Sequence, residues 1–93
     1  MTGFETKAAG ENSLAGGYKA EATGKQSVAL GNDTNATGDN SFALGIITTA
    51  SGAQSVSLGN NTIASGNNSL AIGSSTSGHT LEAKGTNSIA TGI

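Results

Sequence analysis

The stretch Ser27-Val28-Ala29-Leu30-Gly31-Asn32-Asp33-Thr34-Asn35-Ala36-Thr37-Gly38-Asp39-Asn40-Ser41-Phe42-Ala43-Leu44-Gly45 holds one phrase twice, fourteen residues apart, with Gly38 midway between the copies. Working outward, glycines stand at 3, 10, 17, 24, 31, 38, 45, 52, 59, 66 and 73, and the frame resumes at Gly85 and Gly92. Only Gly16 and Gly78 lie off it. Alternate glycines close two different phrases, so the true period is fourteen. The first phrase is Ser-apolar-small-apolar: Ser27-Val28-Ala29-Leu30, Ser41-Phe42-Ala43-Leu44, Ser55-Val56-Ser57-Leu58 and Ser69-Leu70-Ala71-Ile72. Weaker copies are Ser13-Leu14-Ala15-Gly16 and Ser88-Ile89-Ala90-Thr91. The second phrase is Ala-Thr/Ser-Gly, at Ala22-Thr23, Ala36-Thr37, Ala50-Ser51 and Ala64-Ser65.

A seven-residue glycine spacing raises a helical heptad, which the apolar spacing rejects. Val28 and Leu30 are two apart and share no helix face. A glycine in every heptad costs a helix about 1 kcal/mol each relative to alanine. Spacing of two is strand spacing, and glycine after each short run is turn chemistry. Fourteen residues at about 3.3 Å each supply roughly 46 Å of chain. That suits a flattened coil of two short strands and two turns, stacked on its neighbour at about 4.8 Å. The expectation is an all-β parallel β-roll over residues 1–93, one domain, with coils at about 3–73 and 85–92 and an insertion loop at 74–84.

Alternation assigns the faces. A two-strand coil has a thin interior that only small side chains fill. Ser27, Ala29, Ala36, Ser41, Ala43, Ala50, Ser55, Ala64, Ser69 and Ala71 therefore belong inside, and Asn35 and Thr37 face water. Leu14, Val28, Leu30, Phe42, Leu44, Val56, Leu58, Leu70, Ile72 and Ile89 then form an apolar ladder on the outside. Each is worth roughly 1.5–3 kcal/mol when fully buried, and a continuous apolar face marks an interface. Nothing else in the chain is available to cover it, so identical chains are expected to pack their ladders around a closed symmetry axis.

Composition narrows the function classes. The chain has 93 residues and is 34% apolar, but 14 of its residues are alanine and only 16 are Leu, Ile, Val or Phe. Such a level leans towards disorder, which the low net charge of −2 and the ordered repeat oppose. Four lysines and no arginine make no nucleic-acid surface. The absence of cysteine excludes disulfides and thiolate metal sites and is neutral about compartment. No apolar run approaches the roughly 18 residues of a membrane span. Met1 leads straight into Thr2-Gly3-Phe4-Glu5 with no signal peptide, so a protein working outside the cell is expected to be a longer chain or to leave by another route.

The phrase Asn68-Ser69-Leu70-Ala71-Ile72-Gly73, with Ser-Val-Ala-Leu-Gly and the intervening Ala-Thr-Gly, resembles the head repeats of YadA-like trimeric autotransporter adhesins. The resemblance runs from about Gly3 to Gly92. It implies a left-handed parallel β-roll, a homotrimer with the ladder at the three-fold axis, and a head that attaches to host extracellular matrix proteins or cell-surface glycans. It also implies a position on the cell surface, tethered to the outer membrane through parts outside this chain, with no membrane contact by the segment itself. The neck, coiled-coil stalk and anchor of the family have no counterpart in this sequence. The other readings are a structural or receptor-binding segment of a phage tail fibre or similar appendage, and an ice-binding β-solenoid.

Candidate sites are few. Five extra residues lie within Ser74 to Glu82, and Ser77, His79, Thr80, Leu81 and Glu82 mark a possible partner-binding loop. The blander alternative is a tolerated insertion covering a roll edge or touching the neighbouring chain. His79, the only histidine, has no nearby ligand set. Thr34, Thr48, Thr62 and Thr76 recur at fourteen, as do Thr23, Thr37, Ser51 and Ser65, and a flat array of this kind suits ice or carbohydrate. Against that, threonine simply favours strands and solvent-facing turns. Phe4, Tyr18, Asn32, Ile46, Asn60 and Ser74 follow glycines in equivalent places, where edge protection is preferred over an exposed anchor at Ile46. The Asp33 and Asp39 stretch is similar to calcium-binding nonapeptides but has the wrong period. Ala22-Thr23-Gly24-Lys25-Gln26-Ser27 has the wrong spacing for a phosphate loop, and Asn-X-Ser/Thr triplets at Asn32, Asn35, Asn60 and Asn67 are by-products of the repeat. Glu5, Glu11, Glu21, Asp33, Asp39 and Glu82 form no catalytic pair, so no enzyme activity, metal or cofactor is expected.

Overall fold

The computed structural model describes residues 5–74 and 81–92. Its strands are β1 (Lys7–Ala8), β2 (Leu14–Gly16), β3 (Glu21–Ala22), β4 (Val28–Ala36), β5 (Phe42–Ala50), β6 (Val56–Ala64), β7 (Leu70–Ser74), β8 (Leu81–Ala83) and β9 (Ile89–Gly92). All pairings are parallel, and the described residues form a β-solenoid of about five turns with no helix. The register is the sequence period itself: Val28 pairs with Phe42, Phe42 with Val56 and Val56 with Leu70. The slab measures 30 × 26 × 13 Å along its principal axes.

Each complete coil differs in one respect from two separate short strands. β4, β5 and β6 are each continuous nine-residue ladders, bent where a positive-φ glycine is followed, two residues on, by a left-handed residue. In β4 these are Gly31 (φ 125) and Asp33 (φ 58). This bend, here turn A, reverses the chain within the ladder. Turn B, at residues 37–41 of the same coil, leads to the next level. Its left-handed residue is Asn40 (φ 58), equivalent to Gln26, Gln54 and Asn68.

The two glycine series therefore act differently. At Gly31 both the positive φ and the stacking demand glycine, because an added Cβ would lie 2.0 Å from the Gly45 carbonyl oxygen one coil on. At Gly38 the φ is ordinary, yet a Cβ would lie 2.1 Å from the Gly52 oxygen. Here glycine serves close approach of successive backbones rather than turn chemistry. Coil-to-coil bonds complete turn B: the Asn40 amide donates to the Lys25 carbonyl at 2.7 Å and that of Gln54 to Asp39 at 2.7 Å.

The offset changes once. β8 and β9 pair with β6 and β7 at a spacing of nineteen residues, as Thr62↔Leu81 and Leu70↔Ile89 show. Five residues are thus inserted between Ser74, still paired with Asn60, and Leu81. Leu81 and Glu82 stand in β8 with regular partners instead of in a loop, and the insertion is shorter than the expected 74–84. Ser77, His79 and Thr80 lie outside the described residues.

Candidate functional site

The interior is built from small side chains alone. Ser27, Ala29, Ala36, Ser41, Ala43, Ala50, Ser55, Ala64, Ser69 and Ala71 are buried, as are Ala15, Ala20, Ala22 and Ala83. Among the described residues no fully buried side chain is larger than threonine. A 13 Å slab leaves too little depth between its two backbone layers for anything bulkier.

Thr34, Thr48 and Thr62 are also buried, each at 0% exposure, so they do not form the outer array that their spacing suggested. The signal was present: Thr34 has the parity of Ala36 and the opposite parity to Asn35. The remaining series, Thr23, Thr37, Ser51 and Ser65, does stand at the surface or half-buried. Thr76 lies outside the described residues.

The buried threonines are not equivalent in energy. Thr62 shares a 2.6 Å hydroxyl–hydroxyl bond with Ser57. The equivalent partners of Thr48 and Thr34 are Ala43 and Ala29, and both threonine hydroxyls lack a partner. One substitution should thus have opposite signs at two sites. Thr48→Val removes an unpaired buried hydroxyl and is expected to stabilise the protein by about 1 kcal/mol. Thr62→Val orphans the Ser57 hydroxyl and is expected to cost about 1–3 kcal/mol. Denaturant midpoints measured side by side check the pair; equal shifts would remove the argument.

Outside the slab lies the ladder. Val28, Leu30, Phe42, Leu44, Val56, Leu58 and Leu70 are half-buried, because each is flanked by its counterparts one coil above and below. Leu14, Ile72 and Ile89, with thinner flanks near the ends of the stack, are 48%, 38% and 70% exposed. No described Leu, Ile, Val or Phe is buried within the chain. The ladder strand carries these residues on one broad face, and none of the described strands crosses it.

The opposite face, formed by the second half of each ladder, is different in kind. Glu21, Asn35, Thr49, Ile63 and Glu82 are in register along it. Ser65 Oγ donates to Glu82 Oε2 at 3.2 Å across neighbouring coils. Turn B adds side-chain staples: the Lys25 amide donates to Asp39 Oδ1 at 3.1 Å and the Ala53 amide to Asn67 Oδ1 at 3.0 Å. This gives Asp39 a structural task. In turn A, Lys19 Nζ stands 5.5 Å from the centroid of the Tyr18 ring.

Among the described residues no pocket opens, and no three His, Cys, Asp or Glu residues are grouped as a metal site. The surface is made of two flat faces and two rows of turns, which suits contact with other flat surfaces. The family model for the YadA head domain repeat, which holds two copies of the repeat, matches residues 2–20, 22–45 and 50–76. No curated protein matches the chain.

Proposed function

The chain belongs to the YadA head-repeat family, and from that premise we propose that it is a head segment of a trimeric surface adhesin, holding three equivalent outer faces towards a host matrix or cell surface. The family is one of surface-exposed adhesins known to form trimers. The observation that carries the reading for this chain is the inversion of its apolar residues: the interior holds nothing larger than threonine, while the ladder residues all face outward. Three slabs with their ladders turned to a common axis bury what one slab leaves in water. The opposite face, bearing Glu21, Asn35, Thr49, Ile63 and Glu82, then points away from the axis.

The head acts by display instead of catalysis. Each outer face makes a weak contact, and three faces on one rigid body sum to an avidity beyond any single one. A protein partner or a glycan on the host surface is the occupant that a flat face carrying hydroxyls and carboxylates suits, here Thr37, Thr49 and Ser51 beside Glu21 and Glu82. The rest of the surface protein supplies the tether to the outer membrane.

Light scattering tests the assembly: the chain should show three times 9.0 kDa, about 27 kDa. Immobilised matrix proteins and glycans test the adhesion. The trimer is expected to bind at least one of them, and a dissociated variant to bind at least about 100-fold more weakly. A stable monomer sinks the trimer; a trimer that binds no presented surface sinks the adhesive role.

A further inference from the structure

Turn A carries one pair of residues per coil after its glycine: Tyr18-Lys19, Asn32-Asp33, Ile46-Ile47 and Asn60-Asn61. Only the third pair is wholly apolar, and it is exposed, at 49% for Ile46 and 52% for Ile47. Ile47 also adopts the left-handed conformation, with φ 54. Among the described residues with positive φ it is the one β-branched side chain, a type strongly disfavoured there, whereas Asn and Asp, used one coil away on either side, tolerate it. The coil thus keeps a strained, water-exposed residue where its neighbours do without one.

Two further observations say what covers it. Ile46 pairs with Asn32 and Asn60 and follows Phe42 and Leu44 at strand spacing, so in this coil alone the apolar ladder extends to the turn edge. On the opposite edge, the residue after the turn B glycine reads Glu11, Lys25, Asp39, Ala53, Asn67 and Thr86. Its single apolar member, Ala53, is exposed and belongs to the same coil as Ile46 and Ile47. The wholly apolar pair of one edge and the one apolar residue of the other fall on one level.

Three flat slabs facing a common axis form a triangular prism, and at each corner turn A of one slab abuts turn B of the next. A closed rotation without translation brings equal coils level. We propose that Ile46 and Ile47 of one chain pack against the Ala53 turn of the neighbouring copy, a head-to-tail seam made three times around the axis. This rests on the trimer reading above. The ladder repeats every coil and resists slippage of one chain along another only weakly. The seam exists in one coil only, and a one-coil slip sets the isoleucines against Asp39 or Asn67, whose polar groups would lose water. Ile46, Ile47 and Ala53 therefore set the height at which the chains lock.

Cysteine pairs test the seam. Ile46 and Ala53 lie at opposite edges of their own coil, and a disulfide needs Cα atoms about 4.4–6.8 Å apart, so Ile46→Cys with Ala53→Cys can close only between chains. Oxidation of this double variant should give a covalent species of three chains, about 27 kDa from three times 9.0 kDa, on a denaturing non-reducing gel. Each single variant should stay monomeric on that gel, because identical positions stand at separate corners. Ile46→Cys with Asp39→Cys, the one-coil slip, should cross-link at least about tenfold less, since its Cα atoms lie a further coil spacing apart. A double variant that is trimeric in solution yet uncrosslinked overturns the seam and leaves the trimer standing. A monomeric parent chain overturns both. Independently, Ile46→Asn with Ile47→Asn should weaken trimer affinity at least about tenfold without unfolding the chain. Unchanged trimer affinity with lost binding to an immobilised matrix protein would give these residues to an outside partner and overturn the proposal.

Discussion

Gly45→Ala is expected to abolish the stable roll. Gly45 sits mid-stack with φ +128, a conformation L side chains rarely adopt, and an added Cβ would lie 1.9 Å from the Gly59 carbonyl oxygen. The clash is with backbone, which has no rotamer to move. Relieving it means lifting the β6 coil from β5, and the ladder bonds on both sides of the bend go with it. Strain of this kind costs about 1–3 kcal/mol by itself, and the displaced coil brings the total above about 4 kcal/mol, a large share of the 5–15 kcal/mol typical of a domain. Gly85→Ala provides the contrast. A Cβ there meets only Ser88 Cβ, at 3.7 Å, and the cost should stay within about 0.5 kcal/mol. Thermal unfolding followed by circular dichroism distinguishes them. A Gly45→Ala protein that melts with the parent would mean the coils do not stack as closely as described.

Val56→Asp is expected to separate the chains. Val56 lies at mid-ladder, between Phe42 and Leu70 in adjacent coils. In one slab it is half-buried, so a carboxylate there still reaches water and the single coil tolerates it. Around a closed axis three carboxylates meet where water is excluded, at a cost of several kcal/mol. Light scattering should then report 9.0 kDa where the parent is expected to give three times that value. Thr37→Asp, on the exposed side of turn B, should change stability by no more than about 0.5 kcal/mol. A trimeric Val56→Asp protein, or the reverse ranking of the two variants, would take the interface away from the ladder.

The two sites differ in what the local sequence carries: the clash at Gly45 depends on a carbonyl of the next coil, whereas the outward side of Val56 does not. Parity alone places Val56 outside: residues two apart share one face, and a thin coil admits only small residues inside. The same parity, carried to Thr34, Thr48 and Thr62, places them within the slab; their recurrence at fourteen alone does not distinguish an inner row from an outer one. Leu81 and Glu82 lack such a local signal. Their surroundings in sequence are the least repetitive of the chain, and only the pairing with Thr62 and Ile63 puts them back in the stack.

By itself the sequence determined the coil, its fourteen-residue register and which side of each strand faces inward. These follow from translation and alternation, which any stretch of the repeat carries locally. Tertiary structure alone decided the rest. The space at Gly38 or Gly45 is set by a carbonyl fourteen residues away, and whether a buried threonine hydroxyl is paired, as at Thr62, depends on the residue that faces it, here Ser57. The strain at Ile47 arises because turn A has one backbone shape at every level, whichever residue stands there. Position in the stack, unlike parity along the strand, is a property of the neighbouring coil, and the chain acquires it only when the coils close on one another.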